Sequence, residues 1–544
     1  MRIVGIFCLL CFFVFSPCLL ANSSTLDVYP SAEELFEAYL RGDIDYQTYV
    51  NLIEIFEDGI DSTDLYLLEE IPNIDYFLKS DSGDYLSLES EQIESYFVPS
   101  PLRANRPGGS LKALRYQKLE ENGQNMNQLS AKSSLGRDWM LDFRLSDDYA
   151  GKREWARRSL TYNGLKGPLR KMVLGNYTAR FGLGLNVGYR GRLLGGNTES
   201  FGKTLLYPNY GGFNGIYVEG GRKQDAIRML THFDRIGDSS FIAGAFDFAR
   251  SYKGFRIEGI LLGAAIKSRS MNVQYRHYQL GAFLQYSGRS FNTALEAALP
   301  KGASEAVPSM LFETQFKKDD LGFKFSAWHY AEDFLNLIGG GRAGSLSQIV
   351  TIDTIDFHFH DRRVDQRGML LKSQSRFRGN VRHEFTLSIY GKDRYNNFIK
   401  LVSTLEIPIG AKSSVRIDYR NGREKNPEEV LTENEVRTEF RFKERTFSLR
   451  SYVGYIRDKK DKEYISCFVR ARRSFRDFGS VEMWLNFDRI NTETGQIDYF
   501  YGYIKEAVKP TSFLEIGAKY SYRYSRWYSD REQSILQLEA KVEW

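Results

Sequence analysis

Apolar and polar residues alternate with a period of two along most of the chain beyond residue 105. Trp139, Leu141, Phe143 and Leu145 oppose Met140, Asp142, Arg144 and Ser146. Val436, Thr438, Phe440 and Phe442 oppose Arg437, Glu439, Arg441 and Lys443. Leu514, Ile516, Ala518, Tyr520 and Tyr522 oppose Glu515, Gly517, Lys519, Ser521 and Arg523. Side chains of a strand point alternately to its two faces, so this pattern predicts strands with one apolar and one polar side. Many of the runs reach about ten residues, which gives roughly 20–26 strands between residues 111 and 544. The last strand carries Leu536, Leu538, Ala540, Val542 and the terminal Trp544 on one face.

The spacing changes before residue 105. Leu35, Phe36, Tyr39 and Leu40, then Tyr49, Val50, Leu52, Ile53 and Phe56, recur at three and four residues. This predicts helices, the first opened by Ser31 with Glu34 three residues on, a capping-box pattern. A third short helix follows Asp61, Ser62 and Thr63 and runs to Ile71 and Pro72. The first 21 residues hold Arg2, a short apolar run and Ala21, the arrangement of a secretory signal peptide. The chain therefore divides into a signal peptide (1–21), an acidic helical region (22–104) and a β region (105–544).

Composition decides what the strands build. Mean hydropathy is −0.42, far too polar for a bundle of membrane helices, and no run beyond the leader is long enough to cross as one. Aromatic residues reach 14%. Tyrosines crowd strand ends, as in Tyr499, Tyr501 and Tyr503 or Tyr520, Tyr522 and Tyr524, and are expected to form interface girdles. The polar face carries charges of both signs, which a water-filled or salt-bridged lumen accepts and lipid does not. The fold expected is mainly β: a large transmembrane antiparallel β-barrel preceded by a small α-helical domain, since closure leaves no strand edge unpaired in lipid.

The net charge of +5 conceals two regions. Residues 22–100 carry −17 and the rest of the mature chain +21. Such opposite charges favour docking of the helical region into the barrel as a plug. Arg416, Arg420, Arg437, Arg441, Arg450, Arg470 and Arg472 sit opposite apolar neighbours and are expected to face the lumen. They would either favour anionic solutes or be neutralised by acids such as Asp418 and Glu439.

Other chemistry is sparse. After removal of the leader only Cys467 remains, on an apolar strand face, so neither a disulfide nor a multi-cysteine metal site can form. Asp356, His358 and His360 share one face of a strand and form a weak candidate metal site, although no third strong ligand is evident. Gly339, Gly340 and Gly341 predict a flexible loop. No nucleophile-elbow, zinc-protease or phosphate-loop motif is present, so an enzyme is not expected and no cofactor is implied.

Two stretches carry a resemblance. Ile60 to Ile74 ends in Ile71-Pro72-Asn73-Ile74, close to a pattern of Asp, short helix and Leu-x-x-Ile-Pro-Gly-Ile. Val173-Leu174-Gly175-Asn176-Tyr177 runs on to Phe181-Gly182-Leu183-Gly184-Leu185. In these stretches the chain resembles bacterial outer-membrane β-barrel proteins that place a helix-hairpin-helix-like segment before the barrel. The alternating C-terminal strand with its final aromatic also resembles the signal read by the barrel-assembly machinery. The resemblance implies an outer-membrane channel, transport or assembly component with a periplasmic helical region, in contact with outer-membrane lipid and with anionic solutes or a periplasmic protein. The alternative is a DNA-uptake surface protein using the hairpin-like turn. Asn73 replaces the hairpin glycine, and a surrounding charge of −17 repels a polyanion, so DNA is the disfavoured partner.

Overall fold

The computed structural model describes residues 109–544 apart from connecting segments such as 189–205 and 340–349. The signal peptide, the helical region and the Ile71–Ile74 turn lie outside the described residues. The strands are β1 (Gly109–Lys118), β2 (Asn125–Leu135), β3 (Trp139–Asp147), β4 (Arg153–Asn163), β5 (Leu169–Tyr177), β6 (Phe213–Gly221), β7 (Asp225–Ile236), β8 (Ser239–Tyr252), β9 (Phe255–Ser268), β10 (Gln274–Ser287), β11 (Phe291–Pro300), β12 (Ser309–Lys318) and β13 (Leu321–His329). A separate two-stranded hairpin, β14 (Val350–Ile352) and β15 (Phe359–Asp361), follows. The wall then resumes with β16 (Arg367–Arg376), β17 (Arg382–Gly391), β18 (Asn397–Pro408), β19 (Ser413–Lys425), β20 (Val430–Lys443), β21 (Phe447–Arg457), β22 (Glu463–Ser474), β23 (Gly479–Asn491), β24 (Ile497–Thr511), β25 (Leu514–Ser525) and β26 (Glu532–Glu543).

Each wall strand pairs antiparallel with its neighbours in sequence, and β1 pairs with β26, closing a 24-stranded barrel. The expected mainly β fold is present in these residues. At about 4.8 Å per strand its perimeter is about 115 Å before tilt is counted, too wide for wall side chains alone to fill.

The two faces are inverted relative to a soluble protein. Large apolar side chains such as Ile242, Phe246, Ile257, Leu261, Leu280 and Val453 point outward and are exposed, whereas Asp142, Arg157, Asp247, Glu258, Glu296 and Glu439 are buried on the inside. Only a membrane makes this arrangement favourable. Leu261 lies midway along β9 on the outer face. Leu261→Arg is expected to destabilise the barrel by about 2–4 kcal/mol, read by urea unfolding in lipid vesicles.

The aromatic expectation divides. Tyr520 is exposed on the outer face, and Tyr522 packs against Phe500 on that side. Tyr499, Tyr501 and Tyr503 do not belong to a girdle: they face inward, and Tyr503 is buried against Trp484. The phenol of Tyr503 donates to Glu482, so its polar end is satisfied inside the wall.

The two rims also differ. Because β1 starts and β26 ends at the same rim, strand parity assigns every connection to one rim or the other. Connections at the rim of the termini have at most five residues, whereas the opposite rim carries 178–212 and 330–366. We call these the turn rim and the loop rim.

Candidate functional site

In both long connections, described residues fold back into the barrel. Immediately after β5, residues 178–188 form a small hairpin, with an antiparallel bridge between Phe181 and Val187. Gly184 N donates to Phe181 O at 2.9 Å. Gly182 and Gly184 take φ of +57° and +87°, a left-handed backbone that suits glycine and explains the Phe-Gly-Leu-Gly-Leu run. Phe181, Leu185 and Val187 are fully buried. They rest on inner-wall residues that include Leu230, Ile260 and Leu262 for the first part and Ala298 and Leu311 for the second. Alanines at 243, 245, 264 and 298 on the inward side leave room for the hairpin, in place of the longer polar side chains found elsewhere on that face.

Carboxylates of the wall hold the hairpin by its backbone. Glu296 on β11 accepts from Leu185 N at 3.1 Å, Asn186 N at 2.9 Å and Asn186 Nδ2 at 2.7 Å. Glu258 on β9 accepts from Gly182 N at 3.1 Å. Gln279 on β10 donates to Asn186 Oδ1 at 2.6 Å. Arg228 on β7 joins the set: it pairs with Asp247 at 2.7 Å and Glu258 at 2.8 Å, and donates to Arg180 O. Its guanidinium lies 4.6 Å from the Phe181 ring. Charge-assisted bonds of this kind, shielded from water, are the strong ones.

The second connection clasps the first. Asn336 Nδ2 donates to Leu185 O and Asn186 O, both at 2.9 Å, while its Oδ1 accepts from Ile338 N and Gly339 N. Gly188 N donates to Ile338 O. Arg363 is fully buried; it donates to the carbonyls of Asn336 and Gly339 and stacks over Phe334 at 4.7 Å. Gly339 is therefore not part of a free loop: a Cβ there would stand 2.2 Å from Leu185 O. Together residues 178–188 and the described residues of 330–339 and 363–366 make an internal latch against the inner wall from β6 to β13.

The opposite wall holds the arginines. Arg416 pairs with Asp418 at 2.8 Å, Arg420 and Arg437 share Glu435 at 3.2 and 2.6 Å, Arg441 and Arg450 share Glu439, both at 2.5 Å, and Arg470 pairs with Glu482 at 2.7 Å. Arg472 stands directly across from Glu482 in the register of β22 and β23. All seven face inward. Cations also stack on inward rings: Arg437 over Tyr452 at 4.5 Å, Arg470 over Trp484 at 5.2 Å and Lys519 over Tyr503 at 4.3 Å. Glu406 and Glu433 stand on the same inner face, so these charges of both signs tie neighbouring strands together.

The remaining sequence candidates fall elsewhere. Leu536, Leu538, Ala540 and Val542 line the outer face of β26. Trp544 exchanges backbone hydrogen bonds with Gly109 at 3.0 Å, and its ring covers that glycine. Asp356 and His358 lie outside the described residues. His360 belongs to β15, where its backbone pairs with Thr351. Among the described residues no cluster of three metal-ligating side chains occurs. Cys467 is partly buried and on the outer face.

No family model matches the chain, and no curated protein matches it. Among solved structures it is similar to the translocation pore of the P pilus usher PapC, at 10% identity over 80% of this chain and 99% of that one, with a TM-score of 0.39. It is similar to the siderophore receptor PirA of Pseudomonas aeruginosa, at 5% identity over 81% of this chain and 80% of that one, with a TM-score of 0.43. It is also similar to OccK2 of Pseudomonas aeruginosa, at 10% identity over 59% and 96% of the two chains, with a TM-score of 0.32.

Proposed function

We propose that the chain is an outer-membrane β-barrel that passes solutes through a lumen narrowed by its own latch. The observation that carries this is the closed wall itself, apolar outside and ion-paired inside, enclosing more space than its side chains fill. Outer-membrane barrels have short turns on the periplasmic side and longer loops outside. The turn rim is then periplasmic, and region 22–104 joins β1 from that side, where its negative charge can approach the basic lumen.

The test is membrane fractionation with heat-modifiable gel mobility, followed by conductance of the full chain in a planar bilayer. A folded barrel that conducts, with anions preferred, is the expected result. Absence of conductance, or a preference for cations, would sink the reading. Glu435→Gln removes the carboxylate shared by Arg420 and Arg437 and should raise the anion preference. One unit charge at about 4 Å in water is worth about 1 kcal/mol, or roughly fivefold in local ion concentration.

A further inference from the structure

The outer surface of β7 to β10 is cationic at one rim and aromatic at the other. At the loop rim the outward positions include Arg235, Ser240, Lys267 and Arg276, all exposed. The register places Arg235 opposite Ser240, Ser240 opposite Lys267, and Arg276 opposite Ala265 next to Lys267 on β9. Three cations thus lie across four adjacent strands, within about 15 Å.

At the turn rim the same wall presents Tyr252, Phe255, Tyr286 and Phe291, with Phe255 and Tyr286 rings 4.8 Å apart. The outward arginine there, Arg250, faces Asp225 at 3.7 Å. Between the rims Ile242, Leu261, Tyr278 and Leu280 form an exposed apolar band. A ligand fitting the whole surface has an anionic head at the level of the cations and hydrocarbon chains below it.

We infer that Arg235, Lys267 and Arg276 bind the phosphate-bearing headgroup of a lipid in the leaflet on the loop side. The guanidiniums suit phosphate oxygens, with two donors in one plane, and the ammonium supplies a point charge. The acyl chains of that lipid lie along Ile242, Leu261 and Leu280. The inference rests on the membrane-barrel reading above and adds a lipid class and a side to it.

The test uses the full-length detergent-solubilised protein and native mass spectrometry. The probes are a glycolipid bearing two phosphomonoesters, the same glycolipid dephosphorylated, and inorganic phosphate as competitor. The native chain and Arg250→Gln are expected to bind the phosphorylated glycolipid alike. Lys267→Gln should bind about fivefold more weakly, and the triple variant R235Q/K267Q/R276Q about a hundredfold more weakly, since each cation near an anionic headgroup contributes about fivefold. Equal binding by the triple variant, equal binding of the dephosphorylated lipid, an equal loss in Arg250→Gln, or displacement by millimolar inorganic phosphate each overturns it. Heat-modifiable mobility is read on every variant. If the triple variant loses it, Lys267→Gln decides, and if the native chain lacks it, the barrel reading has failed instead.

Discussion

Deleting residues 532–544 is expected to abolish the heat-modifiable band and the protease-resistant core together. β26 pairs with β1 at nine positions and with β25 at eleven. Without it, both flanking strands present unpaired N–H and C=O groups to lipid, each costing several kcal/mol. A handful of such groups exceeds the about 5–15 kcal/mol by which a folded protein is ordinarily stable. A truncated chain that still shifted on heating would show that closure by β26 is dispensable. Trp544→Ala keeps the ladder and removes only the ring over Gly109. Loss of assembled material with unchanged unfolding would assign the ring to recognition by the barrel-assembly machinery.

Glu296→Ala is expected to open the channel. Its carboxylate accepts three hydrogen bonds from Leu185 and Asn186, and bonds to a charged group contribute about 1.5–3 kcal/mol each. The losses do not add fully, because Glu258, Gln279 and Asn336 also hold the hairpin. A net shift of about 3 kcal/mol toward the released state changes the population ratio by roughly 150-fold. Single-channel recordings should therefore show longer and larger openings. Glu313→Ala is the control, since Glu313 on β12 pairs with Lys324 on the wall at 3.4 Å. Unchanged conductance in a folded Glu296→Ala barrel would mean that the hairpin does not gate passage.

The wall was legible because apolar and polar positions alternate in many of its strands, and the inward position of the arginines follows from the same pattern. Some of their pairing was legible too: Glu435 with Arg437 and Glu439 with Arg441 stand two apart on one face. The tyrosines were harder. Tyr499-Phe500-Tyr501-Gly502-Tyr503 and Tyr520-Ser521-Tyr522-Arg523-Tyr524 look alike, but Phe500 takes the outer face in the first and Arg523 the inner face in the second. A tyrosine tolerates either side, so its neighbours decide. The latch was not legible, because its contacts join residues about 110 and 150 apart, such as Asn186 with Glu296 and Leu185 with Asn336. Its trace in the sequence is indirect. Alanines occupy the face that should be polar, and Glu296 stands within the apolar run Ala294-Leu295-Glu296-Ala297-Ala298.

Both halves of the latch are rooted at the loop rim. The hairpin nonetheless reaches far down the wall, since Gly182 N donates to Glu258 and Arg180 O accepts from Arg228, each the fourth residue from the turn-rim end of its strand. It is thus tethered covalently at one end and by hydrogen bonds at the other, so that loosening those bonds frees the tip while the root stays fixed.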